Sequence, residues 1–356
     1  MKIYLAGTSV SNPEKSISLQ KLFINSHKLH SFFHSSRKDG LEREWFLMNY
    51  KNKVNLFLDS GAFSALTQGV EINIYDYINF IKQHQNVIKV YANLDVIGTE
   101  KNAPMPNAQT AKLTLKNQKI MEKEGLTPLP VFHIGEPKKY LEYYVENYNY
   151  IGLGGMVGKP KNSLIPWLNR CFGQFICDKQ GMPKVKVHGF GVTSLQLLLG
   201  FPWWSVDSTS WVATARVGQI YMPRYKKREW VYNENSWKIV VSNRGGRVQG
   251  DHIDSLPPRQ RKIVLDYIYS KGYKLGESKF KKVPQYLELK ENERWAEKKP
   301  KNKNSKRLME TIIESGICNT YQLRDELNII YFQDLEKFLP KWPWVFNKTK
   351  RMRGFL

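Results

Sequence analysis

Residues 129–154 read Leu-Pro-Val-Phe-His-Ile-Gly-Glu-Pro-Lys-Lys-Tyr-Leu-Glu-Tyr-Tyr-Val-Glu-Asn-Tyr-Asn-Tyr-Ile-Gly-Leu-Gly. A short apolar run, Leu129 to Ile134, is closed by Gly135, Glu136 and Pro137. From Lys138 to Asn147 the apolar residues Leu141, Tyr144 and Val145 recur at helical spacing, and Tyr150 to Leu153 is a second apolar run. Short apolar runs bounded by turn residues suit buried strands, whereas the i, i+3, i+4 pattern suits a helix with one face on a core. Strand, helix and strand joined by short turns predict a βαβ unit with its two strands parallel.

The same alternation extends in both directions. Strand segments are expected at Lys2–Ala6, Asn55–Leu58, Val90–Leu94, Leu129–Ile134, Tyr150–Leu153, Val185–His188 and Trp204–Val206, with helices at Ile74–Gln83, Asn107–Glu124, Lys138–Asn147, Leu164–Cys177 and Ser194–Leu199. Seven such units predict an α/β fold, a (β/α)8 TIM barrel over residues 1–250, with a doubly wound open sheet as the alternative. Beyond residue 217 the texture changes. Gly218–Met222 and Trp237–Ser242 read as antiparallel strands flanking a basic, aromatic stretch at 224–230, and Arg259–Tyr269 reads as a helix entered through Pro257-Pro258. Residues 251–297 are expected to be a basic extension closing the barrel, 298–307 a basic linker without hydrophobic residues, and 308–356 a small helical module. The C-terminal region is thus expected to be mainly helical.

Hydrophobic residues make up 41% of the 356, enough for a packed core, so disorder of the whole chain is excluded. No apolar run approaches the roughly 20 residues that cross a bilayer, and the first run breaks at Gly7, so neither a membrane span nor a secretory leader is expected. Cys171, Cys177 and Cys318 are too few for a disulfide framework or a four-cysteine zinc site, which fits a reducing cytoplasm. The net charge is +23; residues 1–222 hold 25 basic and 16 acidic residues (+9), and the remainder 30 and 16 (+14). A surface this basic attracts polyanions, and nucleic acid is the leading partner, with compositional bias alone as the bland alternative.

In a barrel of this kind the chemistry sits at the C-terminal strand ends. Those ends carry Asp59-Ser60-Gly61-Ala62-Phe63, Asp95, His133 with Glu136, Gly154-Gly155-Met156, His188-Gly189-Phe190-Gly191 and Asp207-Ser208-Thr209. A lone Asp at a strand end is a common turn former, but several at one face point to a site. Paired carboxylates suit glycosidic chemistry, in which one captures the anomeric carbon and the other handles the leaving-group proton. Asp59 and Asp207 are the candidates. Trp203, Trp204 and Trp211 flank Asp207 and serve either as core or as stacking surfaces for an unstacked base.

These motifs carry a family resemblance. Leu58-Asp59-Ser60-Gly61-Ala62-Phe63 resembles the Asp-Ser-Gly-Gly-Phe/Tyr signature of the tRNA-guanine transglycosylases, barrel enzymes that exchange guanine for a 7-deazaguanine. Tyr150 to Gly158 resembles the family's Gly-Gly-Leu segment, and the stretch from His188-Gly189-Phe190-Gly191 through Val206-Asp207-Ser208-Thr209 to Ala215-Arg216 follows in the family's order. The likeness spans about residues 55–220. Only Cys318 lies beyond the barrel, so the family's C-terminal zinc cluster has no counterpart here, and no metal is expected. A zinc-free, basic relative is most similar to the DpdA branch of phages and bacteria, whose members place 7-deazaguanines in DNA.

The resemblance implies that Asp207 is the nucleophile, Asp59 the general acid/base and Asp95 the reader of the guanine Watson–Crick edge. It also implies that the Gly154, Gly155 and Met156 backbone meets the guanine O6, that Phe63 stacks on the base and that His188 forms the opposite wall. The family's glutamine after strand four corresponds to His133 or Ile134, and His133 is chosen on chemistry. No cofactor is implied beyond a free 7-deazaguanine such as 7-cyano-7-deazaguanine as co-substrate. The expected activity is DNA-guanine transglycosylation in the cytoplasm, the host's if the gene is a phage's. A zinc-free tRNA enzyme and a silent nucleic-acid-binding barrel are the alternatives. Charge alone nominates Arg216, Arg224, Lys226, Lys227 and Arg228 as nucleic-acid contacts.

Overall fold

The computed structural model describes residues 1–7, 22, 26–35, 55–98, 107–242, 252–302 and 305–348. They fall in two compact units, one running to Thr209 and resuming at Glu336, the other spanning Ser210–Leu335.

The first unit is built on eight parallel strands: β1 (Lys2–Ala6), β2 (His27–Ser31), β3 (Asn55–Asp59), β4 (Ile88–Tyr91), β5 (Val131–His133), β6 (Tyr150–Gly154), β7 (Lys186–Gly189) and β8 (Ser205–Ser208). Their order in the sheet is β4-β3-β2-β1-β8-β7-β6-β5. The sheet curls until its edge strands approach, and β4 and β5 meet in one parallel bridge, Ala92 to Leu129, rather than in a continuous ladder. Successive side chains point to opposite faces. On the concave face Tyr4, Leu29, Phe57, Ala92, Leu129 and Val131 form a core, joined by Val90, Tyr150 and Phe190. On the convex face Leu56, Leu58 and Ile88 pack against Tyr77, Ile78 and Ile81 of the helix Ile74–Gln83.

Strand β2 escapes the sequence reading because Lys28 and His30 make it look polar, yet both are buried. The Lys28 ammonium donates to the carbonyls of Leu5 and Gly7, so the end of β1 supplies acceptors that a buried cation requires. Strand β4 ends earlier than expected. Trp203 and Trp211 are fully buried core residues, and the Trp203 indole N–H donates to the Leu197 carbonyl at 2.9 Å.

The second unit departs from a mainly helical region. It holds β9 (Gln219–Met222) paired with β12 (Trp237–Val240), a hairpin of β10 (Arg224–Lys226) and β11 (Glu229–Val231), and an antiparallel sheet of β13 (Glu277–Pro284), β15 (Lys306–Glu314) and β14 (Glu293–Trp295). Two helices, Pro258–Ser270 and Tyr321–Phe338, complete it. Leu308, Met309, Ile312 and Ile313 recur at helical spacing, but their segment pairs with residues 277–284, and Arg294 reaches across to the buried Glu310 at 2.9 Å. Non-local pairing thus overrides local period. The basic run at 298–307 connects two strands of this one sheet, and Arg307 is folded back onto the Glu297 carbonyl at 2.8 Å, so it does not link separate modules. The chain after Glu336 belongs to the first unit, where the Glu336 carboxylate accepts the Ile3 N–H at 2.7 Å and Gly181 accepts the Phe346 N–H at 2.8 Å. Ile220, Met222, Ile239, Val264, Tyr267, Ile268 and Leu327 form the second unit's own core.

One glycine shows how tightly the concave core is filled. A Cβ on Gly152 would lie 2.7 Å from the Phe190 ring and 2.8 Å from a Leu129 methyl. Gly152→Ala is therefore expected to destabilise the protein by about 1 to 3 kcal/mol through overpacking, read as a lower urea midpoint at unchanged slope.

Candidate active site at the strand ends

The ladder register brings the inward-facing strand ends to one rim: Ser31 pairs with Asp59, His133 with Gly154, and Asp207 with Tyr4. Asp95 enters the same site from the segment after β4. Three of the five nominated polar side chains are carboxylates, so the site is defined by how their charges are accommodated.

Asp95 is held from two sides. One oxygen accepts the Ser60 hydroxyl at 2.8 Å, and the other lies 2.9 Å from His133 Nε2. Across the ring, His133 Nδ1 is 3.1 Å from Glu136, whose second oxygen accepts the His133 backbone N–H at 2.9 Å. Burial disfavours the imidazolium, but the bonds to Asp95 and Glu136 outweigh it and push His133 up to about 10. Burial likewise opposes charge on Asp95, yet the His133 and Ser60 bonds hold it below the usual aspartate value. Asp95 and His133 thus form an ion pair near neutrality, with Glu136 bracing the far side of the ring. Gly154 makes room for it, since a Cβ there would meet the His133 ring at 2.7 Å.

Among the described residues, Asp59 has no such cation. Its carboxylate accepts the Gly61 N–H at 3.2 Å, while burial, then the charges of Asp95 and Asp207, push it up to about 8. Gly61 adopts a φ of 77°, which favours glycine, and a Cβ there would strike Ser31 and Phe33. Asp59 is therefore mostly a neutral acid at pH 7.

Asp207 accepts the Gly191 N–H at 2.8 Å, and His188 Nε2 lies 3.4 Å from the same oxygen. His188 has no exposed surface; its ring packs among Tyr4, Phe57 and Phe190, and burial holds it below the usual histidine value. Its Nδ1 is 2.6 Å from the Ser205 hydroxyl, which is 2.5 Å from the Tyr150 hydroxyl. A neutral His188 with its proton on Nε2 completes a directed series in which Tyr150 donates to Ser205, Ser205 to His188, and His188 faces Asp207.

The remaining nominations divide. Gly155 turns the chain with a φ of 74°, Met156 is buried, and the Gly154 carbonyl accepts the Ile134 N–H at 3.3 Å. Phe63 is 58% exposed, an open aromatic face four residues after Asp59. His188 contacts Asp207 and presents no wall to solvent. Arg216, Arg224, Lys226, Lys227 and Arg228 lie in the second unit. Ser60, Ser205 and Tyr150 were not singled out by sequence; Ser205 was accessible to period-two reasoning, as it shares a strand face with Asp207.

Among the described residues no cluster of His, Cys, Asp and Glu is arranged to hold a metal ion, and no helix is long and apolar enough to cross a membrane. A surface cleft of about 1140 Å³ lies elsewhere in the first unit, lined by Asn169, Arg170, Gln180 and Phe346 among others, and includes none of the carboxylates. Compared with known proteins, the chain matches no family profile, and no curated protein is significantly similar to it.

Two measurements check this electrostatic arrangement. A carboxyl whose pKa is about 8 when folded and about 3.9 when unfolded favours the folded state fully at low pH, and that contribution is lost as pH rises through 8. Asp59→Asn should therefore be more stable than the parent at pH 8, with the difference shrinking toward pH 5 in urea titrations. Nitrogen-15 NMR should find His188 neutral with its proton on Nε2 at pH 7, and Ser205→Ala should weaken that tautomer preference.

Proposed function

We propose that this chain is a DNA-guanine transglycosylase that exchanges guanine for a 7-deazaguanine base on a (β/α)8 barrel, through a covalent glycosyl-aspartate. The observation carrying this reading is that two carboxylates stand at one rim in different surroundings. Asp59 is kept protonated near neutrality, whereas Asp207 sits against a backbone N–H. An acid and a carboxylate at one anomeric centre are what displacement of a glycosidic base requires. The motif resemblance assigns the same two residues to the same two roles.

In the proposed reaction the target nucleotide is first rotated out of its helix, which costs a few kcal/mol. Exposed Phe63 offers a face on which the base stacks. Asp95, kept ionised by His133, accepts from the guanine N1–H and 2-amino groups, donors that adenine does not offer together. An Asp207 oxygen attacks C1′ as the bond from C1′ to guanine N9 breaks, and the Asp59 proton passes to the departing base. The incoming 7-deazaguanine then gives its N9 proton to Asp59, its N9 attacks C1′, and Asp207 leaves. Two inversions restore the original anomer. His188 acts through Asp207, fixing the oxygen that attacks.

Incubation with duplex DNA and 7-cyano-7-deazaguanine, followed by nucleoside mass spectrometry, tests the reading. Incorporation is expected with DNA; incorporation into tRNA only would move the acceptor, and none in either would overturn the chemistry. Asp207→Asn should abolish exchange while retaining DNA binding. Asp59→Asn should slow it about 10²- to 10⁴-fold, and the parent's rate should fall as pH rises past about 8, where the acid loses its proton. Asp95→Ala should lose roughly 5- to 150-fold in discrimination between guanine and adenine, as expected for a buried acceptor contact.

A further inference from the structure

The hairpin of β10 and β11 closes through a two-residue turn, Lys227-Arg228, because Lys226 pairs with Glu229 across the ladder. Both turn residues have positive φ, 49° and 67°. Two-residue hairpin turns of this hand favour Asn-Gly, since a Cβ clashes with the backbone in the left-handed region. This sequence instead places the two largest cationic side chains at the least favourable backbone positions of the ribbon.

The surrounding charges sharpen the contrast. Lys226 is paired with Glu234 at 2.6 Å, and the Arg224 guanidinium donates to the Asn235 carbonyl at 3.0 Å beside the Trp237 ring. Of the four cations nominated on this hairpin by sequence, two are therefore engaged within the chain. Lys227 and Arg228 are exposed and make no ion pair or hydrogen bond with the described residues. The ribbon beneath them is braced: Tyr225 and Trp230 face each other at 4.7 Å, and Trp230 packs on Tyr267 at 5.2 Å. A rigid, protruding tip with two unneutralised cations suits an extended polyanion, because a small anion needs a concave site. The tip has no apolar side chain to insert into a lipid surface.

We propose that Lys227 and Arg228 form a phosphate clamp, by which this hairpin grips the backbone of duplex DNA. The choice of duplex DNA rests on the acceptor proposed above; it also fits shape, since the B-form major groove admits a two-stranded ribbon while the A-form groove of RNA is deep and narrow. The strained turn is retained because relieving it with Asn-Gly removes both phosphate contacts.

The test sets stability against binding in the full-length chain. K227N/R228G places the favoured residues in the turn, so its melting temperature should equal or exceed the parent's. Its affinity for a 30-base-pair duplex should fall, and the slope of log affinity against log salt should flatten by about 1.8, the value for two lost phosphate contacts. K227R/R228K should keep the parent's slope. K112N/K116N removes the same charge from an exposed helical face of the first unit and should also leave the slope near the parent's. A parent-like slope in K227N/R228G, an equal flattening in K112N/K116N, or a lowered melting temperature in K227N/R228G would overturn the inference. So would a loss confined to tRNA or to anionic phosphatidylserine vesicles. Base exchange is a separate readout. A raised KM for duplex at unchanged kcat supports the clamp, whereas absent exchange in the parent with an intact slope effect overturns only the proposed chemistry.

Discussion

Three carboxylates, Asp59, Asp95 and Asp207, share one rim of one parallel sheet, and their mutual repulsion governs the arrangement around them. Ionising all three in a buried setting is unfavourable, so each is accommodated differently. Asp95 has His133 and Ser60 at hydrogen-bond distance, and His133 is in turn braced by Glu136. Asp207 has the Gly191 N–H and the edge of His188. Asp59, buried and beside the charges of Asp95 and Asp207 with only backbone N–H donors, keeps its proton. The contrast between a protonated Asp59 and an ionised Asp95 therefore follows from burial and from which carboxylate the fold supplies with donors.

The scaffold is shaped to permit this. Gly154 lacks a side chain where the His133 ring lies, and Gly61 turns the chain where any Cβ would strike β2. Below the rim, Tyr4, Phe57, Phe190 and Tyr150 fill the concave face and set the dry surroundings that shift the pKa values. His188 lies among them as a neutral polar group, its Nδ1 bonded to Ser205 and its Nε2 facing Asp207. The second unit follows the same rule with other residues. Its Asn328 side chain accepts the Tyr221 N–H and donates to the Trp211 carbonyl, and Arg324 donates to the carbonyls of Ala215 and Ile317, so these two buried side chains are paired with backbone.

The rim residues belong to the first unit, and the strained cationic hairpin belongs to the second. That distribution suits the proposed function, in which recognition of a nucleic-acid backbone and chemistry on a base would make different demands.

The sequence by itself determined the alternation of strands and helices through residue 208, because buried parallel strands are short apolar runs and their crossover helices carry a local period of 3.6. It also determined that Asp59, His133 and Asp207 stand at strand ends, since strand ends are marked by turn residues that any reader can see. Tertiary structure alone decided the rest. Strand β2 was hidden because the acceptors for Lys28 come from β1, a neighbour more than twenty positions away. Strand β15 looked helical because the residues that draw it into a sheet lie at 277–284 and 293–295. That His133 rather than Ile134 reaches Asp95 depended on which strand face turns inward. The proton on Asp59 depended on burial and then on two carboxylates far along the chain. Period and turn chemistry are local and can be read along the chain; desolvation, charge coupling and ladder pairing act between residues that only folding brings together.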